Sequence, residues 1–203
     1  MARDARGRFI PEKYLAGLSP KDRELRIEEL GRKRDRTGSG ERRYAELETD
    51  RKARRQGLVK KSAYSRVAER RGIELQYRGG KPDFTSTARA AFRYYGVDGS
   101  VAKTASHLRK IYNKGLKAWQ TGGHRPGASQ RNWGDARVNS FLVAGKTAWH
   151  PSADRKQARQ LPFEMQRAMI EQLPEVVDAL ELQGRSADAD YLQAKLDQVE
   201  GLL

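Results

Sequence analysis

The chain has 203 residues, 33% charged and 37% hydrophobic, with a formal net charge of +15, no cysteine and three histidines. The missing cysteines exclude disulfides and thiolate metal sites, and His107, His124 and His150 show no close pairing in sequence, so neither a metal nor a cofactor is expected. No apolar run approaches the ~20 residues needed to cross a bilayer, and the opening MARDARGRFIP lacks the apolar segment of a secretory signal, so no membrane partner is expected.

The charge is unevenly placed. Residues 1–160 hold 38 Lys and Arg against 17 Asp and Glu, whereas residues 161–203 hold 3 against 9, a basic body with an acidic tail. Such an excess points to phosphate backbones or acidic protein surfaces as partners. With hydrophobic residues below their usual share, the expected fold is all-α, an elongated multi-helix assembly with a basic N-terminal arm and a C-terminal acidic helical hairpin. Four stretches suggest themselves: residues 1–40 as arm and first helix, 41–83 as charged helices and an extended linker, 84–160 as a central helical domain, and 161–203 as the hairpin.

Residues 1–17 alternate Arg3, Arg6, Arg8 and Lys13 with the anchors Phe9, Ile10, Tyr14 and Leu15, a pattern expected to lie along a surface. Ser19-Pro20-Lys21-Asp22 then reads as a helix start, with Ser19 as N-cap, Pro20 at the first helical position and Asp22 completing a capping box. That helix is expected to end near Gly31. After the flexible Thr37-Gly38-Ser39-Gly40, residues 41–56 are charged almost throughout. Arg51, Arg54 and Arg55 share a helical face there, either paired with Glu46, Glu48 and Asp50 or contacting phosphates.

A helix is expected from Lys60 to Arg71, closed by Gly72. Ile73, Leu75 and Tyr77 then alternate with polar residues like a strand, but without an obvious mate, so an extended linker is predicted. Phe84 to Tyr95 returns to helix, capped by Thr85 or Ser86 and stopped by Gly96.

The stretch from Ser100 to Gly145 is the most regular. Val101, Ala105, Leu108, Tyr112, Gly115 and Trp119 repeat as a core face, with Lys103, His107, Lys110, Lys114 and Lys117 as a basic stripe opposite. No Asp or Glu occurs between positions 99 and 134. From Lys103 to Lys117 a helix would span about 21 Å, several phosphate steps of a duplex strand, which marks these lysines as nucleic-acid contacts. Gly122 and Gly123 should end the helix, and Ser129 should cap the next. The turn between them holds His124 and Arg125, which with Arg131 or Arg137 could form an anion pocket, or simply connect two helices. Trp119 and Trp133 flank it as core residues rather than base-stacking platforms.

Ser152 to Gln160 reads as a short basic helix. In the tail, Met165, Met169, Leu173, Val176 and Leu180 form one apolar face, broken by Pro174, and Leu192, Leu196, Val199 and Leu203 form another after Gly184. These faces predict a hairpin that folds back on the body or serves self-association through residues 161–203.

Two segments, RFIPEKYLAGLSPKD (Arg8 to Asp22) and YNKGLKAWQTGGHRPGASQRNWGDARVNSFLVAGKTA (Tyr112 to Ala148), resemble a domain-of-unknown-function family found in tailed bacteriophages and large DNA viruses of algae and amoebae. The specific framework is Gly123-x-Arg125-Pro126, Trp133-Gly134-x-Ala136-Arg137 and Gly145-Lys146, and the acidic tail lies outside it. The resemblance implies a viral origin, placing the protein in host cytoplasm during infection or in the virion, and supplies no chemistry. The large-virus members carry serine at the position of His124.

There is no P-loop, nucleophile elbow or metal-ligand cluster, and Asp135 with His124 alone does not define a mechanism, so no catalytic residue is assigned. The primary expectation is a non-enzymatic viral protein binding nucleic acid, DNA foremost, through phosphates. The alternatives are a virion assembly component docking on acidic capsid or portal surfaces, and an enzyme acting on a phosphorylated substrate.

Overall fold

The computed structural model describes residues 2–36, 47–59, 61–122, 126–149 and 158–200, and these residues form an all-α fold with two short hairpins. The predicted basic helix over 152–160 falls largely outside the described residues, as do Glu46 and the Thr37 to Gly40 joint. The chain divides into two compact units: residues 1–60 with 116–133, and residues 61–115 with 134–203.

In the first unit the N-terminus is not a plain arm. Strands β1 (Ala2–Arg3) and β2 (Phe9–Ile10) pair antiparallel, Ala2 opposite Ile10. Asp4 closes the loop by accepting from the Arg6 and Arg8 amides and from Arg8 Nε at 2.7 Å. Ile10 and Leu15 are thereby turned inward against Leu30. Helix α1 (Pro20–Arg36) starts as expected, the Asp22 amide donating to Ser19 Oγ and the Ser19 hydroxyl to Asp22 Oδ2. It does not end at Gly31. That glycine is buried inside the helix, where a Cβ would stand 3.2 Å from Asp4 Cβ, so its smallness serves close approach of the hairpin rather than termination.

Helix α2 (Glu48–Arg55) has one buried alanine and is otherwise held by charge. Arg26 of α1, fully buried, donates to Asp50 Oδ1 at 2.8 Å and Thr49 Oγ1 at 2.9 Å, Glu29 accepts from the Glu48 amide and the Thr49 hydroxyl, and Lys52 pairs with Asp22 at 2.6 Å. Burial pushes the Asp50 carboxyl above the ordinary range, against the opposing pull of Arg26.

The second unit holds the main core. Helix α3 (Ala63–Arg70) is capped by Ser62 and buries Val67 and Ala68. The predicted linker is instead a hairpin: β3 (Tyr77–Arg78) finds its mate in β4 (Lys81–Pro82) across Gly79-Gly80, both at positive φ. Helix α4 (Phe84–Tyr95) has the predicted limits, but its cap is Asp83, whose Oδ1 accepts from the Ser86 amide at 3.0 Å.

Helix α5 (Val101–Gly122) runs from the second unit into the first after Gly115. Helix α6 (Gln130–Leu142) and the short α7 (Lys146–Trp149) follow. The tail forms α8 (Phe163–Glu171), α9 (Leu173–Glu181) and α10 (Ser186–Glu200). Pro174 sits in the first turn of α9, where its missing N–H costs nothing. Met165, Leu173, Val176, Leu180 and Leu192 are completely buried in one core with Val67, Leu108 and Phe141, so the tail folds back on its own unit.

Candidate nucleic-acid interface

Helix α5 supplies the candidate surface because its sequence sorts cleanly around the axis. Thr104, Ala105, Leu108, Ile111 and Gly115 are buried, while Lys103, Ser106, Arg109, Lys110, Asn113 and Lys117 are exposed and Lys114 is half-buried. Partial burial suits Lys114, because a lysine stem can lie on apolar neighbours while its ammonium reaches water. One predicted stripe member is misplaced: His107 is only 4% exposed. It stands about 40° further round the helix than Lys103, enough to pass from the rim into the core.

Arg109 joins the face and escaped the sequence reading. Its guanidinium lies 5.6 Å from the centroid of the Phe84 ring, which itself meets Tyr112 edge-on at 5.6 Å. The stack keeps the charge at the surface while its planar group packs. The available signal was its position three residues after Ser106 on the polar side. Within the second unit, Lys103, Arg109 and Lys110 have no ion pair among the described residues. Lys117 lies in the last turns of α5, which belong to the first unit.

Among the described residues no tail carboxylate forms an ion pair with Lys103, Arg109 or Lys110. The tail's Glu175 pairs with Arg70 at 2.8 Å and with the buried Arg71 at 2.5 Å. Asp188 takes Lys146 at 2.7 Å and also Arg185. Burial would raise both carboxyls, yet hydrogen bonds and the nearby cations hold them below the usual carboxylate range.

Among the α2 arginines, Arg51, Arg54 and Arg55 are all exposed, but Arg54 Nε donates to Gly127 O at 3.3 Å. Asp50 serves Arg26 rather than these arginines, so the proposed pairing with α2 arginines fails for it: its carboxylate is drawn to the buried side of the helix.

Of the turn residues, His124 and Arg125 lie outside the described residues, and Arg137 is half-buried on α6. The rest of the turn is structural. The Gly127 amide donates to Asp50 Oδ1 at 3.2 Å, and with φ +76° and Val59 only 2.7 Å from where a Cβ would be, no other residue fits easily. Trp119 is buried as expected and donates to Ala128 O at 2.8 Å; the Asn132 amide donates to Ser129 Oγ, the predicted cap, at 3.1 Å. Asp135 accepts from the Tyr77 hydroxyl. Gly134 exists for Tyr112, whose ring would lie 2.4 Å from a Cβ.

Among the described residues no group of three His, Asp or Glu is placed to hold a metal ion, and no helix is long and apolar enough to cross a membrane. The model of a family of unknown function (DUF5824) matches residues 11–160, 150 of the 203, and the chain belongs to that family. None of the curated proteins and none of the solved structures matches it.

Proposed function

We propose that this member of the DUF5824 family binds nucleic acid without sequence specificity, with the exposed face of α5 meeting phosphates. The observation that carries the reading is the set of cations Lys103, Arg109 and Lys110, exposed on one helix face with no carboxylate partner among the described residues, in a stretch without a single acid from 99 to 134. A solvated helix ordinarily intersperses both signs, because opposite charges at i, i+4 stabilise it and like charges do not. Lys103 and Lys110 are seven residues apart, about 10 Å of helix, or roughly three 3.4 Å steps along a duplex strand. The viral setting, in the infected cell or the virion, rests on the resemblance of residues 8–22 and 112–148.

The test is the salt dependence of binding to a labelled DNA duplex, read by fluorescence polarisation. Each phosphate contact contributes a slope of about 0.9 in log K against log salt, so the double variant Lys103→Gln, Lys110→Gln should lower the slope by about 1.8. A response that is flat for the parent protein, or a slope the double variant leaves unchanged, would overturn the proposal.

A further inference from the structure

A second feature of the α4–α5 pair lies apart from the lysine stripe. Between α4 and the start of α5 is an open groove of about 620 Å³, lined by Gln76, Ser86, Arg89, Arg93, Asp98 and, on its apolar side, Phe92, Val97 and Val101. That volume falls in the range of small-ligand sites, which combine an apolar wall with a few polar groups. We propose that this groove binds a nucleoside monophosphate, its phosphate between Arg89 and Arg93 and its base against the wall of Phe92, Val97 and Val101.

Arg89 and Arg93 are one helical turn apart on α4, both exposed, and neither has an ion pair among the described residues. Like charges at this spacing disfavour the helix that carries them, and two arginines one turn apart on the groove's rim suit a phosphate's several oxygens. The floor is built rather than incidental. Gly96, at φ +63°, ends α4 in the left-handed conformation and turns the chain back. Gly99 lets that return pass against the Phe92 ring: a Cβ there would lie 3.0 Å from Phe92 Cζ and 2.7 Å from Pro162 Cγ. Opposite charge is also present, since Asp98 lines the groove; a carboxylate suits ribose hydroxyls or a base amino group and disfavours a ligand that is phosphate alone.

The experiment is a titration of the full chain with each of the four ribonucleoside monophosphates by isothermal calorimetry, with adenosine and inorganic phosphate as separate arms. Saturable 1:1 binding of at least one mononucleotide, tenfold or more tighter than either arm, is expected, and Arg89→Gln, Arg93→Gln should weaken it at least tenfold. Filling the groove by Val97→Trp should weaken it similarly while leaving the thermal melt in place. Absence of saturable mononucleotide binding, or binding indifferent to both changes, overturns the groove. Duplex binding by the α5 face is measured independently, so loss of either leaves the other standing.

Discussion

Removing residues 161–203 tests whether the segment matched by the family model can stand without the tail. Five tail side chains, Met165, Leu173, Val176, Leu180 and Leu192, are fully buried in the second unit's core. Burying such a side chain is worth about 1.5–3 kcal/mol, so the five amount to roughly 8–15 kcal/mol. Some of that burial is supplied by the tail's own helices against one another; allowing half leaves about 4–8 kcal/mol. Truncation also strips Glu175 from Arg71, whose side chain is only 3% exposed. The loss is comparable to the roughly 5–15 kcal/mol of a whole domain. A chain ending at Gln160 should therefore lose its cooperative thermal transition in circular dichroism and aggregate at concentrations where the full chain is soluble. A monomeric 1–160 fragment melting within a few degrees of the parent would refute this reasoning.

Arg26→Met leaves the buried Asp50 without its cation and should cost about 3–5 kcal/mol at pH 7.5. Asp50 is already pushed upward by burial, and without Arg26 it rises further, so its contribution is retained at low pH and lost as pH climbs through the raised value; the deficit in denaturant melts should narrow at pH 5, and a pH-independent deficit would contradict the lock. Gly134→Ala would ordinarily stabilise a helix by about 1 kcal/mol, but contact with the Tyr112 ring should reverse the sign to a loss of about 1–3 kcal/mol by chemical denaturation; a gain would refute the close approach. Asp22, held down by hydrogen bonds from Lys52 and Ser19, Asp83, held down by the Ser86 amide and hydroxyl, and Glu175, held down by Arg71 against its burial, share one sign. Their folded values lie below the unfolded ones near about 4, so the stability they give is complete above that pH and fades as pH falls through the folded values; the melting temperature should decline in acid, and one that holds level to pH 2.5 would disprove the linkage.

Helix limits were legible wherever a local signal set them. Ser19, Ser129 and Gly96 act on atoms three or four residues away, so their roles follow from sequence, as does the limit of α4 at Tyr95. Features fixed by distant atoms were not. Gly31 reads as a helix stop but answers to Asp4, and Asp50 reads as a partner for α2 arginines but answers to Arg26 and Gly127. His107 shows the limit of helical angle alone: a residue at the rim is assigned to core or solvent by the neighbouring element, here against a polar expectation. The lysines stood out because their stretch lacks acids. Arg89, Arg93 and Arg109 did not, because their meaning depends on the Phe84 stack and the groove that packing of α4 on α5 creates.

A net charge of +15 does not by itself locate a binding face, since a basic chain can scatter its surplus. Here the charges separate by the job they do. On α1 and α2 acids and bases occur together and several pair with one another, Arg26 with Asp50 and Lys52 with Asp22. At the end of α3 and on α7 tail acids take up three bases, Glu175 pairing with Arg70 and Arg71 and Asp188 with Lys146, so the acidic tail serves as a structural counterion there. From Gly99 to Gly134 the sequence supplies bases alone. Neutralising that stretch from within would need carboxylates close by, because exposed charges beyond about 8 Å are largely screened at physiological salt. The tail acids with identified partners are committed elsewhere in their own unit, and the proposed binding of a polyanion rests on that local surplus, since such a partner's charge spacing suits a helix face of this length.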